Sequence, residues 1–132
     1  MKTQTLRIII ADDSPLLRER VKTMIAPFPN VEVVGEAENG TTALRLVEEL
    51  KPNLIILDIR MPDMNGIEVL KNIKKSGSAT RVCMLTNYPF PQYRKKCLAE
   101  GADYFYDKNQ DLQHVTTMIA DLALELRGET IA

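Results

Sequence analysis

The chain has 132 residues, of which 45% are hydrophobic and 27% are charged, and its formal net charge is -1. This length is typical of one domain, and the composition is that of a globular protein, which excludes disordered and collagen-like chains. The balanced charge lacks the positive excess that binding to nucleic-acid phosphates requires, so we expect no direct nucleic-acid partner. The sequence also shows no membrane span and no signal peptide, which predicts a cytoplasmic protein.

The cysteine and histidine content excludes the usual kind of zinc site. Cys83, Cys97 and His114 are the only residues of these types, and a four-ligand Cys/His site needs one more. We therefore expect both cysteines to be reduced and mostly buried, and His114 to be a solvated side chain.

Five short segments are predicted to be strands. The first is β-branched and nearly continuous in apolar character, as in a strand buried on both faces of a parallel sheet. These predicted strands cover residues 6–11, 31–37, 54–57, 82–86 and 104–106.

Each predicted strand is followed by a segment with apolar residues at helical spacing. In the first, Ser14 is a good N-cap and Pro15 suits the first helical position. The five predicted helices run from Pro15 to before Pro27, from Gly40 to before Pro52, over 67–75, from about 91 to 100, and over 112–126.

This alternation predicts right-handed crossovers and a parallel sheet with helices on both faces. We expect a single domain over residues 1–132, with a core over about 5–126 and a short tail over 127–132.

Polar residues follow the ends of the predicted strands, where ligands bind in such folds. Asp12 and Asp13 follow the first strand, Asp58 follows the third, Thr86 ends the fourth, and Lys108 comes just after the fifth. If the first and third strands are neighbours, the three carboxylates converge and need a cation. Mg²⁺ prefers such oxygen ligands, and a carboxylate beside it can accept a phosphoryl group. This set of residues therefore predicts aspartyl phosphorylation, with Thr86 and Lys108 holding the phosphoryl oxygens.

These strand-end residues, together with the loop Met-Pro-Asp-Met-Asn-Gly over 61–66, resemble the bacterial response-regulator receiver domain. The resemblance covers essentially the whole chain. It implies a flavodoxin-like (βα)5 doubly wound parallel sheet with strand order 2-1-3-4-5.

The resemblance also implies roles for the site residues. Asp58 is the implied phosphoacceptor. Asp13 and Asp58 bind Mg²⁺ directly in this reading, Asp12 helps through water, and the backbone carbonyl of Arg60 is a further ligand.

A switch is implied as well. Thr86 shifts toward the phosphoryl group, Lys108 pairs with it, and Phe105 changes rotamer. The face formed by the fourth helix, fifth strand and fifth helix then meets an output protein, with a sensor histidine kinase or a phosphotransfer protein as phosphoryl source. The chain is then no enzyme beyond assisting its own phosphorylation and dephosphorylation, and is a monomer or a phosphorylation-promoted dimer.

Two positions depart from the family pattern. Asn109 follows Lys108 where most receivers have proline, and Asn87 follows Thr86 where Ala or Gly is usual. Arg60 and Tyr88 are bulky, and we hypothesise that they shield the acyl phosphate from water.

Other interpretations of these residues stay open. Asp12 and Asp13 could cap the first helix. The run Arg94-Lys95-Lys96 could be a solvated face or part of a partner surface, and Glu36 and Glu38 at the end of the second strand are less obviously placed for the strand-end site.

Three other functions compete with the phosphorylated receiver. One is a pseudo-receiver that binds its partner without phosphorylation. A hydrolase of the haloacid dehalogenase type needs an Asp-x-Asp pattern after the first strand, and a nucleotide-binding module needs a glycine-rich first turn; neither is present. The short tail leaves no room for a DNA-binding output domain, so we expect a stand-alone receiver, although a fragment of a longer regulator would have the same sequence.

Overall fold

The computed structural model describes residues 4–128, which form five strands and five helices in strict alternation. The strands are β1 (Leu6–Ala11), β2 (Val31–Ala37), β3 (Leu54–Leu57), β4 (Arg81–Thr86) and β5 (Tyr104–Asp107). The helices are α1 (Pro15–Ile25), α2 (Gly40–Leu50), α3 (Gly66–Lys75), α4 (Pro91–Ala99) and α5 (Leu112–Leu126). The predicted elements are confirmed, with small shifts at their ends. The last four residues of the predicted tail, 129–132, lie outside the described residues.

The five strands form one parallel sheet in the order β2-β1-β3-β4-β5, which confirms the expected topology. Because β1 and β3 are neighbours, Ala11 is paired with Leu57 at their carboxyl ends. Within residues 4–128, no helix combines the length and the apolar character that crossing a bilayer requires.

The sheet is buried on both faces, as the continuous apolar strands predict. Ile8 and Ile10 of β1 contribute to a core with α1 and α5, whereas Ile9 and Ala11 contribute to a core with α2, α3 and α4. The sequence predicts inward-facing apolar residues on the helices, such as Leu70 and Ile73 of α3 and Val115, Ile119 and Leu122 of α5, and these are buried. Three further apolar residues of α3 and α5, which that spacing did not include, are buried as well. These are Val69, Met118 and Ala123.

Helix α1 begins as expected. The Ser14 hydroxyl oxygen accepts a hydrogen bond from the Leu17 amide at 3.2 Å, and Pro15 is the first helical residue. Ser14 is therefore the N-cap, which leaves the carboxylates of Asp12 and Asp13 for other contacts.

Strand β2 contains a bulge that decides which residues face α1. Ile8 is paired with Val33 but Ile9 is paired with Gly35, so Val34 is the extra residue. Since successive side chains of a strand point to opposite faces, one inserted residue reverses the faces of everything after it. Glu36 is consequently paired with Ile10, on the face of the sheet that α1 covers.

Candidate functional site

The carboxyl ends of β1 and β3 bring Asp12 and Asp58 together. Each residue directly follows its strand, and the Asp58 amide donates to the Ala11 carbonyl at 3.0 Å. Both side chains are buried, with 2% of Asp12 and 5% of Asp58 exposed. Two ionised carboxylates in so buried a place repel each other unless a positive charge is present.

Lys108 supplies one positive charge. Its ammonium nitrogen lies 2.6 Å from Asp12 Oδ2 and 3.0 Å from Asp58 Oδ2, and the lysine is itself buried. Asp12 Oδ1 accepts from the Ser14 amide at 2.9 Å, and Asp58 Oδ1 accepts from the Ile59 amide at 2.8 Å. Both carboxylates are thus oriented through one oxygen by backbone and through the other by the same ammonium group.

Burial and neighbouring charges shift the pKa values of this group. Burial raises the pKa of Asp58; the Asp12 charge raises it further, while Lys108 opposes both effects without overcoming them. Burial alone would lower the pKa of Lys108, but its hydrogen bond to Asp12 and the charge of Asp58 give a net rise. The ammonium form of Lys108 is therefore favoured, whereas the ionised form of Asp58 is disfavoured until more positive charge arrives.

Asp13 completes a group of three acids. Carboxylate oxygens of Asp12, Asp13 and Asp58 lie within 4.8 Å of one another, with Asp13 on the exposed side. Three carboxylates and one ammonium leave two net negative charges, which one divalent cation neutralises. Hard carboxylate oxygens with an open, solvent-facing side suit Mg²⁺, which keeps several waters in its shell.

The loop between β3 and α3 passes close to Asp58. The Gly66 amide donates to the Ile59 carbonyl at 2.7 Å, and a Cβ at Gly66 would overlap the Asp58 carbonyl. Only glycine fits this approach. Asn65 then caps α3 by accepting from the Glu68 amide at 3.0 Å, which fixes the far end of the loop.

The start of α2 holds the middle of the same loop. The Gly40 amide donates to the Pro62 carbonyl at 3.3 Å, and the Thr41 amide donates to Asp63 Oδ1 at 2.9 Å. Asp63 has a φ of 63°, a left-handed conformation that Asp tolerates better than most residues. Residues 59–65 are thereby held in place beside the acids.

Thr86 is fully buried at the end of β4. Its hydroxyl oxygen accepts from the Tyr88 amide at 2.9 Å, and its carbonyl accepts from the Lys108 amide at 2.9 Å. The same residue therefore connects the loop after β4 to the backbone of Lys108. Its movement toward a phosphoryl group stays a prediction.

Arg60 and Tyr88, which come from different loops, stack on each other. The Arg60 guanidinium carbon lies 3.9 Å from the centre of the Tyr88 ring, a close cation–π contact. The tyrosine ring in turn contacts Phe90, with ring centres 6.2 Å apart. The role of the Arg60 carbonyl as a metal ligand stays a prediction.

Phe105 is buried, with 6% of it exposed, and belongs to the core beneath α4. The Arg94 guanidinium carbon lies 5.6 Å from its ring centre, and Arg94 Nη1 donates to its carbonyl at 3.4 Å. Arg94, Lys95 and Lys96 are all exposed, as both interpretations of this run require. A rotamer change of Phe105 is untested.

The turn after Lys108 is closed without proline. Asp107 Oδ1 accepts from the Asn109 amide at 2.8 Å, and Asp111 Oδ2 accepts from the Asp107 amide at 2.9 Å. Among residues 4–128 there is no cis peptide bond, so Lys108 is joined to Asn109 in trans. Two side-chain carboxylates therefore brace the backbone that presents Lys108.

The remaining expectations concern single residues. Cys83 and Cys97 are buried and free, and the His114 side chain is 70% exposed, as expected. Glu36, whose place relative to the site the sequence left open, accepts hydrogen bonds from Arg18 Nε at 3.0 Å and from Lys22 Nζ at 2.9 Å. The sequence analysis did not single out Arg18, which contacts both Glu36 and the Asp12 carbonyl. The available signal was its position as a basic residue in the first turn of α1, shortly after Asp12 and Asp13.

Comparison with known proteins adds a family. Residues 8–120 match the model of the response regulator receiver domain. The curated relatives include the virulence-factor transcription regulator BvgA of Bordetella pertussis, 36% identical over 109 residues, and the nitrate/nitrite response regulator NarL of Escherichia coli, 36% identical over 104 residues. These alignments cover 83% and 79% of this chain but 52% and 48% of the relatives, so the chain spans about half the length of the curated relatives it matches.

Solved structures agree with the fold. The signal receiver domain of the response regulator NarL from Mycobacterium tuberculosis superposes with a TM-score of 0.84 at 32% identity, over 91% of this chain and 97% of that one. The response regulator domain of Thermotoga maritima CheB gives a TM-score of 0.81 at 30% identity, over 97% and 100%.

Proposed function

Because the chain belongs to the response regulator receiver domain family of two-component signalling, we propose that Asp58 accepts a phosphoryl group with the help of Mg²⁺ bound at Asp12, Asp13 and Asp58. The observation that supports this best is the position of the Asp58 carboxylate, which lies against the Lys108 ammonium and within 4.8 Å of two further carboxylates. Receiver domains typically bind Mg²⁺ at an acidic pocket of this kind, and the backbone carbonyl of Arg60 is a further proposed ligand.

The proposed reaction transfers a phosphoryl group from a phosphorylated histidine of a kinase or phosphotransfer protein. A carboxylate oxygen of Asp58 forms the new bond to phosphorus while the bond from phosphorus to the imidazole nitrogen breaks, and the imidazole leaves with that electron pair. Mg²⁺ supplies charge neutralisation for the transferred oxygens. The Ile59 amide holds the Asp58 carboxylate in place, and Lys108 donates to a phosphoryl oxygen.

The same proposal includes a switch. The Thr86 hydroxyl, whose oxygen accepts from the Tyr88 amide, moves to donate to a phosphoryl oxygen; the movement breaks its contact with Tyr88 and loosens the loop after β4. Phe105 and the exposed face of α4, β5 and α5 then change enough to alter binding of an output protein. The chain acts as a signalling domain rather than as an enzyme on other substrates.

We place this activity in the cytoplasm, in one receiver domain over residues 1–132. The two free, buried cysteines fit a reducing compartment. The partners are a histidine kinase or phosphotransfer protein and an output protein; direct nucleic-acid and membrane binding are not part of the proposal. The domain is a monomer or dimerises on phosphorylation.

The test is intact-protein mass spectrometry after incubation with acetyl phosphate and Mg²⁺. We expect one added phosphoryl group, absent with a chelator and absent in Asp58→Asn. Asp63→Asn is the matched control, because Asp63 lies in the adjacent loop, is exposed and is outside the acidic group. A folded protein that binds Mg²⁺ but gains no phosphoryl group from any donor would contradict the proposal and favour a pseudo-receiver.

A further inference from the structure

We propose that Arg18 is a positioning residue for the metal site: it holds the peptide group between Asp12 and Asp13 so that the exposed Asp13 carboxylate stays in place for Mg²⁺. This inference rests on the proposed function, since it concerns the same acidic group. It assigns a role to a residue outside that group.

Arg18 joins the acidic turn to the neighbouring strand. Its Nη1 donates to the Asp12 carbonyl at 2.6 Å, and its Nε donates to Glu36 Oε1 at 3.0 Å. The arginine side chain is only 15% exposed. Since the guanidinium group is planar and rigid, fixing it on Glu36 also fixes the direction of the donor that meets the Asp12 carbonyl.

Asp13 needs this support more than Asp12 does. The Asp12 side chain is held by Lys108 and by the Ser14 amide. The Asp13 side chain is exposed, and within residues 4–128 no hydrogen bond or ion pair holds its carboxylate. Its place beside Asp12 and Asp58 therefore depends on the backbone, and the Asp12 carbonyl is the part of that backbone that Arg18 contacts.

The bulge in β2 makes the contact possible. If β2 paired with β1 residue by residue through Val34, with no bulge, Glu36 would lie opposite Ala11 and face α2 rather than α1. The bulge places the Glu36 carboxylate under α1, where both Arg18 and Lys22 reach it. The bulge in β2 thus determines the contact of Glu36 with Arg18, and Arg18 in turn contacts the turn that contains Asp12 and Asp13.

A positioning role of Arg18 and a purely electrostatic role predict opposite effects on Mg²⁺ affinity. Arg18 is a cation near the acidic group, so its charge alone opposes binding of Mg²⁺, and its removal would strengthen binding. If Arg18 positions Asp13, its removal weakens binding instead. The sign of the change in Mg²⁺ affinity separates the two.

The experiment compares Arg18→Ala with Lys22→Ala in the full chain. Both variants remove one positive charge and one contact to Glu36, but only Arg18 contacts the Asp12 carbonyl. Isothermal titration calorimetry with MgCl₂ is expected to show an Mg²⁺ affinity about tenfold weaker in Arg18→Ala, as for other residues that orient metal ligands. Lys22→Ala is expected to stay within about twofold of the original protein, because an exposed ion pair contributes little.

Phosphorylation gives a second readout. With acetyl phosphate, Arg18→Ala is expected to need about tenfold more Mg²⁺ for half-maximal phosphorylation, and to reach the original rate at saturating Mg²⁺. Unchanged or stronger Mg²⁺ binding in Arg18→Ala, or equal weakening in Lys22→Ala, would overturn the inference.

A third readout needs neither metal nor phosphate. Amide hydrogen exchange of Ser14, whose amide donates to Asp12 Oδ1, is expected in the metal-free protein to be about tenfold faster in Arg18→Ala and little changed in Lys22→Ala. Glu36→Gln leaves Arg18 in place and keeps the side chain at position 36 nearly the same size. It is expected to speed exchange as well, and it replaces Arg18→Ala in the experiment if that variant does not fold. If the original protein is not phosphorylated, the proposed function fails; unchanged exchange would refute the role of Arg18 separately.

Discussion

The two ends of the sheet use buried polar residues in opposite ways. At the amino end, Asn30 precedes β2 and Thr80 precedes β4, and both are neutral. Asn30 Nδ2 donates to the Gln4 and Ala123 carbonyls at 3.2 and 2.8 Å, and the Thr80 hydroxyl donates to the Pro52 carbonyl at 2.8 Å. These side chains satisfy backbone carbonyls and so stabilise the fold.

At the carboxyl end, the buried polar residues include Asp12, Asp58 and Lys108, which carry charge. Burial and the neighbouring carboxylate raise the pKa of Asp58 even with Lys108 in contact. Folding therefore assembles an arrangement that is electrostatically unfavourable until a cation binds.

Burial of a polar group therefore does not by itself indicate its effect on stability. Substitutions at the amino end should lower stability with or without Mg²⁺. Substitutions at the carboxyl end should raise or lower it according to the charge they remove, and should depend on Mg²⁺.

The largest effect is expected for Lys108→Met. Removing the ammonium group leaves Asp12 and Asp58 buried without an opposite charge, which should lower the free energy of unfolding by about 3 kcal/mol in the absence of metal. Added Mg²⁺ should restore part of this loss. Urea unfolding at pH 7 with EDTA and with MgCl₂ measures both effects. A loss below about 1 kcal/mol in EDTA would contradict the view that the buried carboxylates depend on the charge of Lys108.

Asn30→Ala should have the next largest effect. It removes the donor to the buried Ala123 carbonyl and to the partly buried Gln4 carbonyl, so we expect a loss of about 2 kcal/mol that is the same with EDTA and with MgCl₂. Asn72→Ala is the control, because Asn72 is exposed and donates only to the Glu68 carbonyl of its own helix. A loss at Asn30 that depended on Mg²⁺ would break the contrast between the two ends.

Asp58→Asn should stabilise the metal-free protein by about 1 kcal/mol at pH 7. Folding raises the pKa of Asp58 above the ordinary aspartate value of 3.8, so protonation of Asp58 favours the folded state. The original protein loses this stabilisation as the pH rises above 3.8 and Asp58 ionises. The variant lacks that loss, and its advantage should therefore shrink toward pH 4. Urea unfolding in EDTA between pH 4 and 7 tests this; a variant less stable than the original at pH 7 would mean that Asp58 contributes net stability through Lys108.

Much of the candidate site could be predicted because it lies at strand ends. Continuous apolar strands such as 54–57 are easy to recognise, and in a parallel sheet all their carboxyl ends lie on one edge. Asp12, Asp58 and Lys108 are therefore brought together by topology, which the family resemblance supplied.

Arg18 and Glu36 could not be predicted in the same way. Their contact depends on the bulge at Val34, and a bulge is set by how two strands pair rather than by the periodicity of one. The burial of Val69 and Met118 was missed for a related reason: a helix covered by neighbours on several sides buries more than its narrowest apolar stripe.

The smallest effect concerns the stacked pair at the rim of the charged end. Arg60 and Tyr88 contact each other at 3.9 Å, and we expect their pairing to slow the access of water to a phosphoryl group on Asp58. A contact of about 0.5 to 1 kcal/mol corresponds to about a two- to fivefold change in rate, so Arg60→Ala and Tyr88→Ala should each shorten the lifetime of the phosphorylated protein by that factor. Mass spectrometry of the loss of phosphate over time measures this lifetime. Arg45→Ala is the control, since Arg45 is an exposed arginine of α2 that pairs with Glu49.

The double variant Arg60→Ala/Tyr88→Ala should lose phosphate no faster than the faster single variant, because both changes remove the same contact. Slower hydrolysis in either single variant would show that the pair promotes the attack of water, and the rim of the site would then contribute to turnover of the signal rather than to its persistence.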